Sequence, residues 1–206
     1  MARWYLIRHG ETQWNADERV QGQADVPLHD GGRREATLTG NRLSDVRFAT
    51  VYASDLKRTQ ETAHIILAAQ SAQPAPEIVT TNLLREVGYG IFEGLTWTEI
   101  REQDARMKER RFVRDLDFAP DQGESFRQVL ARTGDFARTL GERHRDDNLL
   151  IVAHGGSLRA LATKILDLHE DSFWKLRGLN PASISIVTQD GETPALTSWN
   201  DVGHLT

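Results

Sequence analysis

The chain has 206 residues, 39% hydrophobic and 27% charged, with 25 Lys and Arg against 30 Asp and Glu and a formal net charge of -5. That size and balance suit one globular domain, 1–206, with a substantial core and exclude a disordered chain. The weak negative charge argues against nucleic acid or an anionic membrane as the main partner, and the lack of cysteine excludes disulfides, thiolate nucleophiles and Cys-based zinc sites.

Residues 3–8 are rich in aromatic and branched side chains, as in a buried strand. Residues 9–30 are polar and broken by glycines, which predicts a long loop of the kind that is usually functional. Asp30 stands where it can cap a helix over 31–43, and Asp55 where it can cap one over 56–70 after a short strand, Thr50 to Ala53. Gln73-Pro74-Ala75-Pro76 is a break, and Glu77 to Thr80 reads as a further strand. Residues 82–94 carry Gly88, Gly90 and Gly94 and read as an ordered loop. Thr96 and Glu99 form a capping box for a helix reaching about Arg111, and 112–122 is irregular. A long amphipathic helix comes next, about Glu124 to Arg145, with Phe126, Val129, Leu130, Phe136 and Leu140 facing inward. Leu149 to Ala153 is the clearest buried strand, and a helix is expected over Ser157 to Leu168. Ser183 to Thr188 alternates as a strand, and Asp190-Gly191 signals a hairpin into a last strand near Ala195 to Trp199. The order predicts an α/β domain with a mostly parallel central sheet and an antiparallel edge strand. Repeats, low-complexity segments and linkers are absent from the sequence. A basic start followed by a long apolar stretch is absent too, so a cytoplasmic location is expected.

Two strands end alike, Ile7-Arg8-His9-Gly10 and Val152-Ala153-His154-Gly155. If both are central in one sheet, both imidazoles reach its C-terminal mouth, where open α/β sheets bind ligands, and each glycine lets a ligand approach the backbone. A lone histidine at a strand end is more often a satisfied core residue; the repetition points to chemistry. An imidazole attacks phosphorus well, and a guanidinium grips phosphate oxygens in a planar fork. Arg58, early in the helix after the second strand, is either a solvated helix arginine or a third cation at that mouth, where a helix N-terminus also favours anions. The stretch Arg106, Lys108, Arg110, Arg111 and Arg114 reads as a solvated face, with a flap over anionic substrate as the sharper alternative.

Together these blocks resemble the histidine phosphatase superfamily, the phosphoglycerate-mutase-like proteins. The resemblance rests on Arg8-His9-Gly10-Glu11-Thr12 with Trp14-Asn15, then Gln21-Gly22, Asp25, Pro27-Leu28 and Gly32. It continues through Ser54-Asp55-Leu56-Lys57-Arg58-Thr59, Glu61-Thr62-Ala63, Leu84-Arg85-Glu86, Gly90 and Phe92-Glu93-Gly94. It ends with Gly123-Glu124-Ser125, His154-Gly155-Gly156 and Arg159. Three positions depart from the usual pattern. His29 stands for Ser or Thr, Glu35 for Gln, and Phe92 for Trp; the first two bear on capping of the first helix.

The resemblance implies a three-layer α/β/α sandwich and a metal-independent, cofactor-independent phosphomonoester hydrolase acting on a small phosphorylated metabolite. In it His9 is the nucleophile and becomes a phosphohistidine. Arg8, Arg58 and His154 stabilise the transferring group, and Asn15, Gln21, Gly22 and Gly155 contact substrate. Glu86 is implied as the general acid and then base, against the alternative of a structural ion pair with Arg85 or another arginine. Glu11 is implied as a structural partner in its loop. Trp14, Tyr89, Phe92, Trp97 and Phe118 line a leaving-group pocket or form core. Sugar phosphates, phosphoglycerate derivatives, α-ribazole phosphate and phosphoserine are candidate substrates. The short Gly94 to Gly123 segment and Phe92-Glu93-Gly94 favour hydrolysis over a mutase, although Tyr89-Gly90 keeps the mutase spacing. A non-catalytic phosphate-binding module is the remaining reading. The terminal hairpin offers an edge for a homodimer, and His204 in the tail has no assigned role.

Overall fold

The structure, a computed structural model, describes all residues except 1, 72–73, 109–113, 145 and 191–192. Its centre is a six-stranded sheet of β1 (Ala2–Arg8), β2 (Thr50–Ser54), β3 (Ile78–Thr81), β4 (Leu149–Ala153), β5 (Ile184–Asp190) and β6 (Thr193–Asp201), in the order β3-β2-β4-β1-β5-β6. β1, β2, β3 and β4 run parallel, β5 is antiparallel to β1, and β6 pairs with β5 at the edge. β4 is an unbroken run of branched and apolar side chains because it lies between β1 and β2 with both faces covered.

The period of two along each strand separates the layers. Trp4, Leu6, Leu149 and Ile151 pack on α5 (Phe126–Arg143) and α6 (Gly155–Ile165), joining Phe136, Leu140, Leu158 and Leu161. Tyr5, Ile7, Val51, Leu150 and Val152 face α2 (Asp30–Arg42) and α3 (Lys57–Ala68), joining Leu43, Ala63, Ile66 and Leu67. The result is the expected three-layer sandwich. Two shorter helices, α1 (Gln13–Ala16) and α4 (Trp97–Gln103), sit in the loops over the C-terminal edge of the parallel strands.

The differences from the sequence reading lie at helix ends. α2 is capped by His29, whose Nδ1 accepts from the Gly32 N–H, so Asp30 is its first residue and not its cap. Asp55 does not cap α3; its carboxylate is held by Arg85, and Leu56 stands at the N-cap without a side-chain bond. The loop after β1 contains the single turn α1, closed by a capping box between Thr12 and Asn15. α4 stops at Gln103, far short of Arg111. Asp104 becomes extended and its carboxylate takes the Arg106 N–H, a local bond that competes with the helix. The later part of that expected helix, with Arg110 and Arg111, lies outside the described residues, as do Gln73, Arg145 and Gly191. α6 begins at Gly155, two residues before the expected start, with His154 as its N-cap. Among the described residues no helix is long and apolar enough to cross a membrane.

Ile151 is fully buried at the centre of the sheet. Ile151→Ala is expected to lower unfolding stability by about 2–5 kcal/mol through lost burial and the cavity left behind, read from urea denaturation.

Candidate active site

The ladder between β1 and β4 pairs Ile7 with Val152 and Arg8 with Ala153. The next residue on each strand is a histidine. The His9 N–H donates to the Ala153 carbonyl (3.0 Å), and the two ring centroids lie 5.2 Å apart with planes at 61°. β2 lies on the far side of β4, and α3, the next helix in the chain, delivers Arg58 in its first turn. Arg58 is no solvated arginine: it is fully buried, with Nε 3.2 Å from His154 Nδ1, Nη1 2.7 Å from the Ala24 carbonyl and Nη2 2.8 Å from the Gly22 carbonyl.

These contacts set both tautomers. The Gly10 carbonyl, 2.7 Å from His9 Nδ1, can only accept, so Nδ1 carries the proton and Nε2 bears the lone pair. On His154 the assignment reverses. Nδ1 accepts from Arg58 Nε–H, so the proton lies on Nε2, which is buried and, among the described residues, without a partner. Arg8 Nε is a second buried donor without a partner among the described residues, while its Nη1 donates to the Leu179 carbonyl. Both imidazoles titrate well below 6.5, first because burial disfavours the cation and then because Arg58 and Arg8 repel it. Burial lowers Arg58 to about 10, against the opposing pull of Glu86 and Asp25, so it remains a cation at neutral pH.

Glu86 lies across the start of α6. Its Oε2 accepts from the Gly156 N–H (3.0 Å), and Oε1 from the N–H groups of Ser157 (3.2 Å) and Val87 (2.9 Å). The alternative of an ion pair with Arg85 does not hold, because Arg85 grips Asp55 through two bonds of 2.7 and 2.8 Å. A Cβ on Gly156 would fall 2.4 Å from Glu86 Oε1, so glycine lets the carboxylate reach the helix end. A Cβ on Gly155 would lie 3.9 Å from both Arg8 Nε and Glu86 Oε2, which places Gly155 between the two groups. Gly10 has a different use from the one expected. A Cβ there would meet the Gly32 carbonyl oxygen at 2.4 Å, so its bareness serves backbone contact with α2.

The other expected contact residues divide. Asn15 Oδ1 is held by the Thr12 N–H and hydroxyl (3.1 Å each), and among the described residues its amide NH2 meets no acceptor. Gln21 is buried, with Oε1 unpartnered among the described residues. Gly22, at φ +51°, gives its carbonyl to Arg58, and a Cβ would collide with Glu93. Glu11 pairs with His29 at 2.9 Å in its loop. Glu35, also expected to bear on capping, instead accepts the Glu11 N–H at 2.9 Å.

Beyond Glu86 lies a cavity of about 200 Å³ walled by Val87, Tyr89, Phe92, Trp97, Phe118, Phe126 and Trp174. Four of the five expected aromatic residues line it. Trp14 does not; its ring covers Gly94 on another face. Among the described residues, the cation in this wall is Arg159, one turn along α6 from Gly155, over the Phe173 ring at 4.2 Å. Of the basic stretch, Arg106 pairs with Asp104 and lies over the Phe118 ring at 5.4 Å, and Arg114 is exposed.

Sequence reasoning missed Arg132. Its guanidinium bonds Glu124 and the carbonyls of Leu83 (2.8 Å) and Glu86 (3.0 Å), bracing the loop that carries Glu86. The signal was present: Arg132 is a charged residue three positions after Val129 on the inward side of α5.

With this geometry in view, the comparisons with known proteins agree. The profile of the histidine phosphatase superfamily (branch 1) matches residues 4–202, and the chain belongs to that family. It is 36% identical over 202 residues to a metal-independent phosphoserine phosphatase of Arabidopsis thaliana, covering 97% of this chain and 82% of that one. It is 30% identical over 210 residues to an Escherichia coli protein named Probable phosphoglycerate mutase GpmB, covering 100% and 95%. The solved structure of Bacillus stearothermophilus YhfR superimposes with a TM-score of 0.88 at 34% identity over 100% of both chains.

The tautomers are open to direct measurement. In ring ¹⁵N NMR spectra, His9 is expected as Nδ1–H and His154 as Nε2–H, both still neutral at pH 6, with protonation only at lower pH as the depressed values require. Imidazolium shifts appearing near pH 6.5 at either ring would contradict the assignment.

Proposed function

We propose that this protein hydrolyses the phosphomonoester of a small metabolite in two steps through a phosphohistidine on His9. One observation carries the reading: the Gly10 carbonyl on Nδ1 leaves His9 Nε2 unprotonated, and the neighbouring Arg8 Nε and His154 Nε2 are buried N–H donors with no partner among the described residues. Fixed donors of this kind suit a group whose charge lies on three equatorial oxygens, and being already oriented they cost no reorganisation during transfer.

In the first step the Nε2 lone pair attacks phosphorus and the ester oxygen departs with a proton from Glu86. Oε2 is the suited oxygen, since it has one backbone partner where Oε1 has two. In the second step Glu86 takes a proton from water, whose oxygen attacks the phosphohistidine and releases inorganic phosphate and the free imidazole. Arg8, with the remaining hydrogens of Arg58, supplies the cationic field. The Asn15 amide is a further neutral donor. Gln21 and Gly155 border the phosphoryl group, and Gly22 acts through its hold on Arg58.

The leaving group occupies the aromatic cavity next to Glu86, with Arg159 as its polar contact. A mixed apolar and anionic leaving group fits these walls, and phosphoserine and phosphoglycerate derivatives are the first to assay. Mutase-type transfer is the second reading, favoured by the name of the Escherichia coli relative and by the Tyr89-Gly90 spacing. A requirement for a bisphosphate primer, with phosphate transferred and none released, would select it.

Purified protein in EDTA is expected to release phosphate from an aryl phosphate, and His9→Ala to abolish that release. Glu86→Gln is expected to lower kcat/KM for an alkyl phosphate by about 10²–10⁴. The same change should affect a nitrophenyl ester far less, because that leaving group needs no proton. Equal losses on both substrates would remove Glu86 from the role of acid.

A further inference from the structure

The tail Asn200-Asp201-Val202-Gly203-His204-Leu205 is not used by the chemistry above. It folds into a 3-10 turn, Gly203–Leu205, against α2. There His204 Nε2 lies 3.2 Å from the Ala182 carbonyl and 3.0 Å from Thr39 Oγ1. Thr39 is fully buried, and its Oγ1 reaches the same carbonyl at 3.1 Å. A carbonyl accepts and does not donate, so Nε2 carries the proton. Nδ1 of the same ring is buried and has no partner among the described residues, so a proton there would be a second donor with no acceptor among them. The ring is thus held as the neutral Nε2–H tautomer.

Ala182 is an unusual residue to hold. Its φ is +53°, a left-handed conformation that alanine adopts only under constraint. Its N–H lies 3.1 Å from the carbonyls of both Arg8 and His9. Three residues earlier, the Leu179 carbonyl accepts from Arg8 Nη1. The Asn180 N–H is held in turn by Asn200 Oδ1 at 2.6 Å. Residues 179–182 are therefore gripped from outside by the tail and from inside grip the backbone of the nucleophile and the side chain of its neighbouring arginine.

We infer that His204 is a positioning residue for phosphoryl transfer. It touches neither substrate nor reacting atoms; it fixes Ala182, and Ala182 with Leu179 fixes Arg8 and His9. A strained backbone residue persists where its surroundings over-determine it, and the Thr39–His204 pair does so on the carbonyl side of Ala182. Without His204, relaxation of Ala182 displaces His9 Nε2 and the Arg8 fork from the line of attack. The inference rests on the reading of His9 as nucleophile.

The test compares His204→Ala, His204→Gln and His204→Glu with wild type and with His9→Ala, on an aryl phosphate, with the folded fraction measured by circular dichroism. Gln carries an N–H that can meet the Ala182 carbonyl, whereas Glu of the same size offers only an acceptor when ionised. His204→Ala is expected to lower kcat per folded molecule by about 10- to 100-fold, the scale of a small misplacement of reacting groups, with KM changed less than about threefold. His204→Gln is expected to recover most of that loss and His204→Glu none of it. Should His204→Ala not fold, the Gln–Glu difference decides alone. Wild-type kcat in His204→Ala, equal kcat for Gln and Glu, or a loss wholly explained by fewer folded molecules each overturns the proposal. Inactive His9→Ala beside fully active His204 variants would sink this inference alone. Fully active His9→Ala would sink the nucleophile assignment, and this inference with it.

Discussion

Between β1 and β4 the parallel register sets Arg8 against Ala153, and one residue further along each strand stands a histidine in a nearly dry site. Burial, Arg58 and Arg8 disfavour a second proton on either imidazole, so both rings stay neutral at neutral pH. Like unit charges about 4 Å apart repel by about 4 kcal/mol at an effective dielectric of about 20, and burial adds to that. The site therefore keeps its permanent cations on guanidinium and its lone pair on His9. A free imidazole lone pair and two guanidinium cations coexist without neutralising each other because each charge state is dictated by the groups around it.

Everything else supports that arrangement from a distance of one or two contacts. Arg58 is anchored by the carbonyls of Gly22 and Ala24, so the loop after β1 holds the cation that sets the tautomer of His154. The start of α6, a place where helices bind anions, is occupied by the Glu86 carboxylate. Among the described residues the side-chain donors Arg8 Nε and His154 Nε2 are left without partners. Arg132 and Glu124 brace the loop that carries Glu86, and the C-terminal tail bonds Ala182, whose N–H meets the carbonyls of Arg8 and His9.

Much of this was legible in the chain. Two apolar runs that each end in His-Gly disclosed the mouth of the sheet, because a buried strand must be a continuous apolar segment and the polar residues at its end must leave the core. The strands were well placed for the same reason. Helix ends were read less well. Asp30 and Asp55 look like caps by residue type, but the adjacent His29 takes the first cap, and Arg85, 30 positions away, holds the Asp55 carboxylate that would have made the second. Gly10 looked like a ligand-facing glycine and instead permits contact with Gly32, a partner 22 positions away that no local pattern reveals. Arg132 could have been found from its place on an apolar helix face. The left-handed Ala182 could not, since alanine carries no signal of that conformation.

The most direct test of the account is a rapid acid-free quench of wild-type enzyme turning over an isotopically labelled aryl phosphate, with peptide mapping of the product. The account predicts one phosphoryl group bound through nitrogen, stable to base and lost in acid, on the peptide containing His9, formed at least as fast as turnover. Phosphate release with no covalent intermediate, or a label on any other residue, would contradict it.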